Sequence, residues 1–156
     1  MKSRGFTLIE MVVVVAVVAV LAAIAVPVVQ LSAQRARESE LRTALRQIRE
    51  GIDTYKRYAD EGRIARASDA SGYPPKLADL VQGVPDAKLP GGAHIYLLRR
   101  IPRDPFNTDA ALEASETWGL RSYTSTADAP AEGADVFDVY SRASGTGLNG
   151  VPYREW

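Results

Sequence analysis

The chain has 156 residues, room for one modest domain and an anchor but not for two cores. Lysine plus arginine is 19 and aspartate plus glutamate is 19, so the net charge is zero and gives no electrostatic reason to expect nucleic acid as a main partner. There is no cysteine and one histidine, His94, which excludes disulfides, a cysteine nucleophile, thiolate metal sites and a multi-histidine metal site.

The apolar residues are concentrated near the start. Met11 to Val29 holds no charged or strongly polar residue, and a helix of that length rises about 28 Å, close to the hydrocarbon thickness of a bilayer. From Arg35 onward the composition is that of an ordinary soluble domain. The expected organisation is therefore a basic leader at 1–5, an apolar membrane helix at 6–34, and a globular head at 35–156 that includes a further length of the same helix.

Three readings compete for the N-terminal end. One is a plain transmembrane anchor. Another is a secretory signal peptide, with Lys2 and Arg4 as its basic region and Ala23-Ile24-Ala25 as its small-residue cleavage site. The third rests on the order Gly5-Phe6-Thr7-Leu8-Ile9-Glu10 directly before the apolar run. Glu10 separates them. A carboxylate in a membrane helix costs roughly 2–3 kcal/mol or more when central and unpaired, and neither an anchor nor a signal peptide has a use for it there. A helix packed among others can pair it with a positive charge. Cleavage after Gly5 creates such a charge, a new amine on Phe6, four residues before Glu10.

This segment resembles the class III signal of type IV pilins and of type II secretion pseudopilins. The resemblance implies that a prepilin peptidase cuts between Gly5 and Phe6 and methylates the new N-terminus, and that Glu10 assists assembly. It also implies a single-pass protein of the bacterial inner membrane with its head in the periplasm, working with an inner-membrane assembly platform and polymerising with itself and with sister pilin-like subunits. Pro27 lies inside the run, where it lacks an N–H and its ring clashes with the Ala23 carbonyl, so a kink or local opening is expected. It reads either as a tolerated membrane-helix proline or, as the resemblance favours, as a flexible point for filament packing.

Past the membrane run the helical pattern continues. Leu41, Ala44, Leu45, Ile48, Ile52, Tyr55 and Ala59 form one apolar stripe, the face on which a head would pack. Glu38–Arg42 and Asp53–Arg57 are four-apart pairs in the favourable order, and the remaining charges read as a solvated face. Asp60 to Gly72 reads as a loop, and Pro74-Pro75 as the start of a short helix over Lys76 to Val81. His94 to Arg100 reads as an extended run. Trp118 to Thr124 and Val136 to Tyr140 alternate as strands do, which predicts an α+β fold with a small antiparallel sheet against the long helix.

The order Tyr73-Pro74, Arg100-Ile101-Pro102-Arg103-Asp104-Pro105-Phe106, Trp118-Gly119 and Asp135-Val136-Phe137-Asp138-Val139-Tyr140-Ser141 resembles the major pseudopilin of type II secretion. The resemblance implies the type IV pilin fold and a structural subunit rather than an enzyme. It also raises calcium, which those proteins bind in an acidic C-terminal loop. Here the matching stretch, from Ser141 to Trp156, has Glu155 as its only acid. Calcium takes six to eight oxygens, usually including more than one carboxylate. Asp138, Ser141, Asn149 and Glu155 are the candidate ligands, but charge is short. The competing reading is a glycine-rich loop closed by Tyr153 and Trp156, with no cofactor. A type IV pilus subunit, or a minor pilin-like protein whose head binds DNA or a secreted substrate, are the alternatives. Arg99, Arg100 and Arg103 would serve DNA binding, whereas Asp104 and Asp109 beside them favour ion pairing within the head.

Overall fold

The computed structural model describes residues 7–89 and 91–156, and the expected processing residues Gly5 and Phe6 lie outside them. Helix α1 runs from Leu8 to Asp60 and is unbroken through Pro27. It stops at Gly62, whose φ of 70° suits a residue without a Cβ. There the Arg63 amide donates to the Tyr58 carbonyl at 2.8 Å and the Gly62 amide to that of Ala59 at 3.0 Å, satisfying two terminal acceptors in a Schellman arrangement. The chain forms two compact units, residues 1–37 and 38–156, and α1 contributes to both.

In the first unit every described side chain from residue 7 to residue 33 is exposed. An 18-residue window of α1 has a mean hydropathy of 3.2, and by length and composition the helix is able to cross a membrane. In the second unit the stripe Leu41, Ala44, Leu45, Ile48, Ile52, Tyr55 and Ala59 is buried, as its period predicts. Ile64, Leu77, Leu80, Leu98, Trp118, Val136, Val139 and Tyr153 complete that core. Each fully buried Leu or Ile there contributes about 1.5–3 kcal/mol.

The strands form two separate antiparallel pairs rather than one sheet. β1 (Val84–Pro85) pairs with β2 (His94–Ile95), and β3 (Trp118–Arg121) pairs with β4 (Asp138–Ser141). Gly119 faces Tyr140 across the second pair, and a Cβ on Gly119 would stand 2.3 Å from the Tyr140 ring, so the ring occupies the space the missing side chain leaves. Arg49 of α1 donates to Asp138 at 2.8 Å and Arg121 of β3 donates to the same carboxylate at 3.2 Å, tying helix and sheet together. A long N-terminal helix with a small antiparallel region is an α+β arrangement of the pilin type.

Several expected boundaries move, each for a local reason. β2 ends at Ile95 instead of reaching Arg100, because the Leu97 and Leu98 amides both turn to the Leu80 carbonyl, at 3.1 and 2.8 Å. β4 starts at Asp138 because the Val136 amide donates to the Pro74 carbonyl at 2.8 Å. β3 stops at Arg121 because the Ser122 amide leaves for the Ala131 carbonyl. The short helix α2 is Asp79–Gln82, not Lys76 to Val81. Its approach is a tight turn in which the Lys76 amide donates to the Asp79 carboxylate.

Candidate assembly site

The start of α1 is where the sequence concentrates its chemistry. Thr7 is the residue before the first helical position and Glu10 is the third within it. The Thr7 amide donates to Glu10 Oε2 at 2.8 Å, and the Thr7 hydroxyl donates to the same oxygen at 2.7 Å. In return the Glu10 amide donates to Thr7 Oγ1 at 3.3 Å. This is a reciprocal capping box, and it satisfies two amides that an α-helix start leaves unpaired. It also places a carboxylate at the positive end of the helix dipole. Sequence reasoning singled out Glu10 for charge and passed over Thr7, although Thr7-Leu8-Ile9-Glu10 fits the Thr-x-x-Glu capping signature. Beyond this cap, Leu8, Met11, Val14, Val18, Leu21 and Val28 are each more than half exposed, a lateral surface with no polar group to solvate.

The C-terminal stretch is organised by a residue on α1 that the sequence had paired elsewhere. Glu38 is 5 % exposed and accepts hydrogen bonds from the Leu148 amide at 2.9 Å and the Tyr153 hydroxyl at 3.0 Å. Arg42, its expected partner, instead lies 4.4 Å above the Trp156 ring. Tyr153 is buried, stacked on Phe106 with ring centroids 4.1 Å apart, and meets Trp156 edge to face at 5.2 Å. The second expected pair is also absent, since Arg57 donates to Thr54 rather than to Asp53.

The four calcium candidates are engaged separately. Asp138 takes the two arginine contacts described above. Ser141 donates to Asp104 at 2.5 Å, and Asp104 is 1 % exposed. Asn149 accepts from the Val151 amide at 3.1 Å. Glu155 is exposed and stands 3.9 Å from Arg154. Asp138 and Glu155 do line one cleft of about 530 Å³, but Arg49, Arg121 and Arg154 line it with them. Among the described residues no three His, Asp or Glu side chains gather as a metal cage.

The remaining candidates are placed at the surface. His94 is exposed, and its Nδ1 lies 2.9 Å from the Gly92 carbonyl. Arg103 does not pair with a carboxylate but donates to the backbone carbonyls of Leu112 and Asp109, at 2.5 and 2.6 Å. The ion pairs of the head lie elsewhere. Arg63 donates to buried Asp86 at 2.5 Å, and that hydrogen bond, with the Lys88 amide, holds the Asp86 carboxyl below its ordinary pKa. Lys56 does the same for Asp60, from 2.6 Å.

With the geometry in view, the first 26 residues match the family model described as the prokaryotic N-terminal methylation motif. The chain carries a type IV prepilin-like signal. Such a signal implies processing by a prepilin peptidase and assembly into filaments, and it points to a structural subunit. With the apolar helix that follows, it is consistent with membrane anchoring. No curated protein and no solved structure matches the chain.

Proposed function

We propose that the chain is a pseudopilin of a type II secretion-like system. It is cut between Gly5 and Phe6, methylated on Phe6, held in the inner membrane with its head in the periplasm, and polymerised through α1 with copies of itself and sister subunits on an assembly platform. The methylation motif followed directly by a carboxylate and an unbroken apolar run is the observation that carries this reading. The resemblance of the segments around Arg100–Phe106 and Asp135–Ser141 favours the secretion machine over a type IV pilus. Pro27 gives the packed helices a point of adjustment in the apolar run.

Glu10 has two separable duties in this reading, capping α1 and supplying charge. In a filament the packed helices keep the carboxylate from bulk water, where the protonated amine of Phe6, on the same or a neighbouring copy, is its partner. Lys2 and Arg4 have left with the leader. Glutamine serves a capping box as glutamate does, so Glu10→Gln keeps the cap and size and removes the charge. Glu10→Ala removes both. Both variants are expected to be processed and inserted normally yet to give far fewer filaments on pull-down of the overexpressed protein, with the membrane fraction as control. A normal filament yield from Glu10→Gln contradicts the charge-pairing role.

A further inference from the structure

The head carries a groove where positive charge is left over and, on other elements, a segment where negative charge is left over. The groove, about 370 Å³, lies between α1 and the C-terminal stretch. Arg42, Arg46 and Arg49 line it from α1, at the four- and three-residue spacings that put side chains on one side of a helix, and Asn149, Glu155 and Trp156 line it from the other wall. Arg49 is engaged by Asp138. Arg42 lies against the Trp156 ring and Arg46 donates to the Thr43 hydroxyl, and neither takes part in an ion pair among the described residues. Like charges four residues apart weaken a helix slightly, so α1 holds these two guanidinium groups side by side at a small cost. Glu155, the acid in the lining, stands beside Arg154. Glu50 and Asp53 follow on α1 and are exposed, but they lie outside the lining, so the positive stretch covers the turns from Arg42 to Arg49.

The segment runs from Asp109 to Glu116. Asp109, Glu113 and Glu116 are exposed, and none takes part in an ion pair among the described residues. Of the cations around them, Arg103 donates to the Leu112 and Asp109 carbonyls and offsets part of their charge, Arg142 is paired with Glu132, and Lys76 lines the same cleft as Glu116 without pairing with it. Glu113 caps the 3-10 turn Ala114–Thr117 and Glu116 is the third residue from that cap, each side chain accepting the amide of the other. Three residues of 3-10 helix rise about 6 Å, and so do four residues of α-helix. Glu113 and Glu116 are thus spaced along their turn as Arg42 and Arg46 are along α1.

We propose that the acidic segment of one copy docks in the arginine groove of another, with Glu113 and Glu116 meeting Arg42 and Arg46 beside the Trp156 ring. The proposal rests on the filament reading above, which brings copies together. Groove and segment are different surfaces, so the contact is heterologous and repeats from copy to copy. A carboxylate matches the guanidinium fork with two parallel hydrogen bonds, and arginine and tryptophan are residue types on which interface energy concentrates.

The chain has no native cysteine, so single thiols can be placed next to the charges without removing them. Asn149 lines the groove and Ser115 lies between the two acids. Full-length Asn149→Cys and Ser115→Cys are produced together in one cell, and sheared filaments are treated with a short bis-maleimide. The covalent dimer is expected to be several-fold stronger than from Asn149→Cys produced with Asp69→Cys, which is exposed in the loop after α1. Adding Arg42→Gln and Arg46→Gln to the Asn149→Cys chain is expected to remove the excess. In the otherwise native chain the same two arginine substitutions are expected to cut filament yield several-fold, and full yield contradicts the contact. Filaments that form with no excess of dimer overturn the contact and leave the filament reading standing. An excess that survives both arginine substitutions overturns the charge pairing. A wild-type chain that yields no filaments overturns both readings.

Discussion

One helix passes through two environments, and the difference is written in how its apolar residues are arranged. From residue 7 to residue 33 apolar side chains cover the helix all round and every described one is exposed. From Leu41 to Ala59 they are confined to one stripe, and every member of it is buried. All-round apolarity asks for lipid or other helices, whereas a stripe asks for a domain on one side. The second arrangement supplies a large part of the core of the head.

Removing the stripe is expected to have the largest effect on the head. A fragment beginning at Arg35 is expected to be soluble and to unfold cooperatively. A fragment beginning at Asp60 lacks Leu41, Leu45, Ile48 and Ile52 and is expected to show no cooperative transition in thermal melts. Equal sharpness in the two melts contradicts the shared core. A gentler version compares two single substitutions. Ile48→Ala empties a fully buried site and is expected to destabilise the head by about 2–5 kcal/mol in denaturant titrations of detergent-solubilised protein. Val14→Ala, at a position 57 % exposed, is expected to leave the head transition where it was.

The smallest effect concerns pH. Folding lowers the pKa of Asp86 through Arg63, so its contribution is present above the ordinary carboxylate range and is lost as pH falls through and below about 4. Asp86→Asn is expected to lower the Tm at pH 7. The gap from the wild type should narrow as the pH approaches 2, because protonation then removes the same interaction from the wild type. A gap that stays constant with pH contradicts the assignment.

What the sequence made legible followed from period and local motif. The stripe from Leu41 to Ala59 was readable because a period of 3.6 is a strong signal over five turns. The methylation motif was readable because glycine, an aromatic residue, a carboxylate and an apolar run stand in fixed order. Strand ends were not, because Val136, Leu97 and Leu98 send their amides to Pro74 and Leu80, partners with no mark in the local pattern. Glu38 was misread for the same reason. Its partners Leu148 and Tyr153 lie 110 and 115 residues away, while Arg42 stood temptingly four positions on. The Thr7 cap is legible as Thr-x-x-Glu, with Glu10 serving both the cap and the charge.

The intact mass of the full-length protein extracted from membranes shows whether the chain is processed as a filament subunit. The expected species starts at Phe6, carries one added methyl group and retains 151 of the 156 residues. A chain that begins at Val26, as a secretory signal peptide would leave it, or one that keeps residues 1–5, contradicts the account.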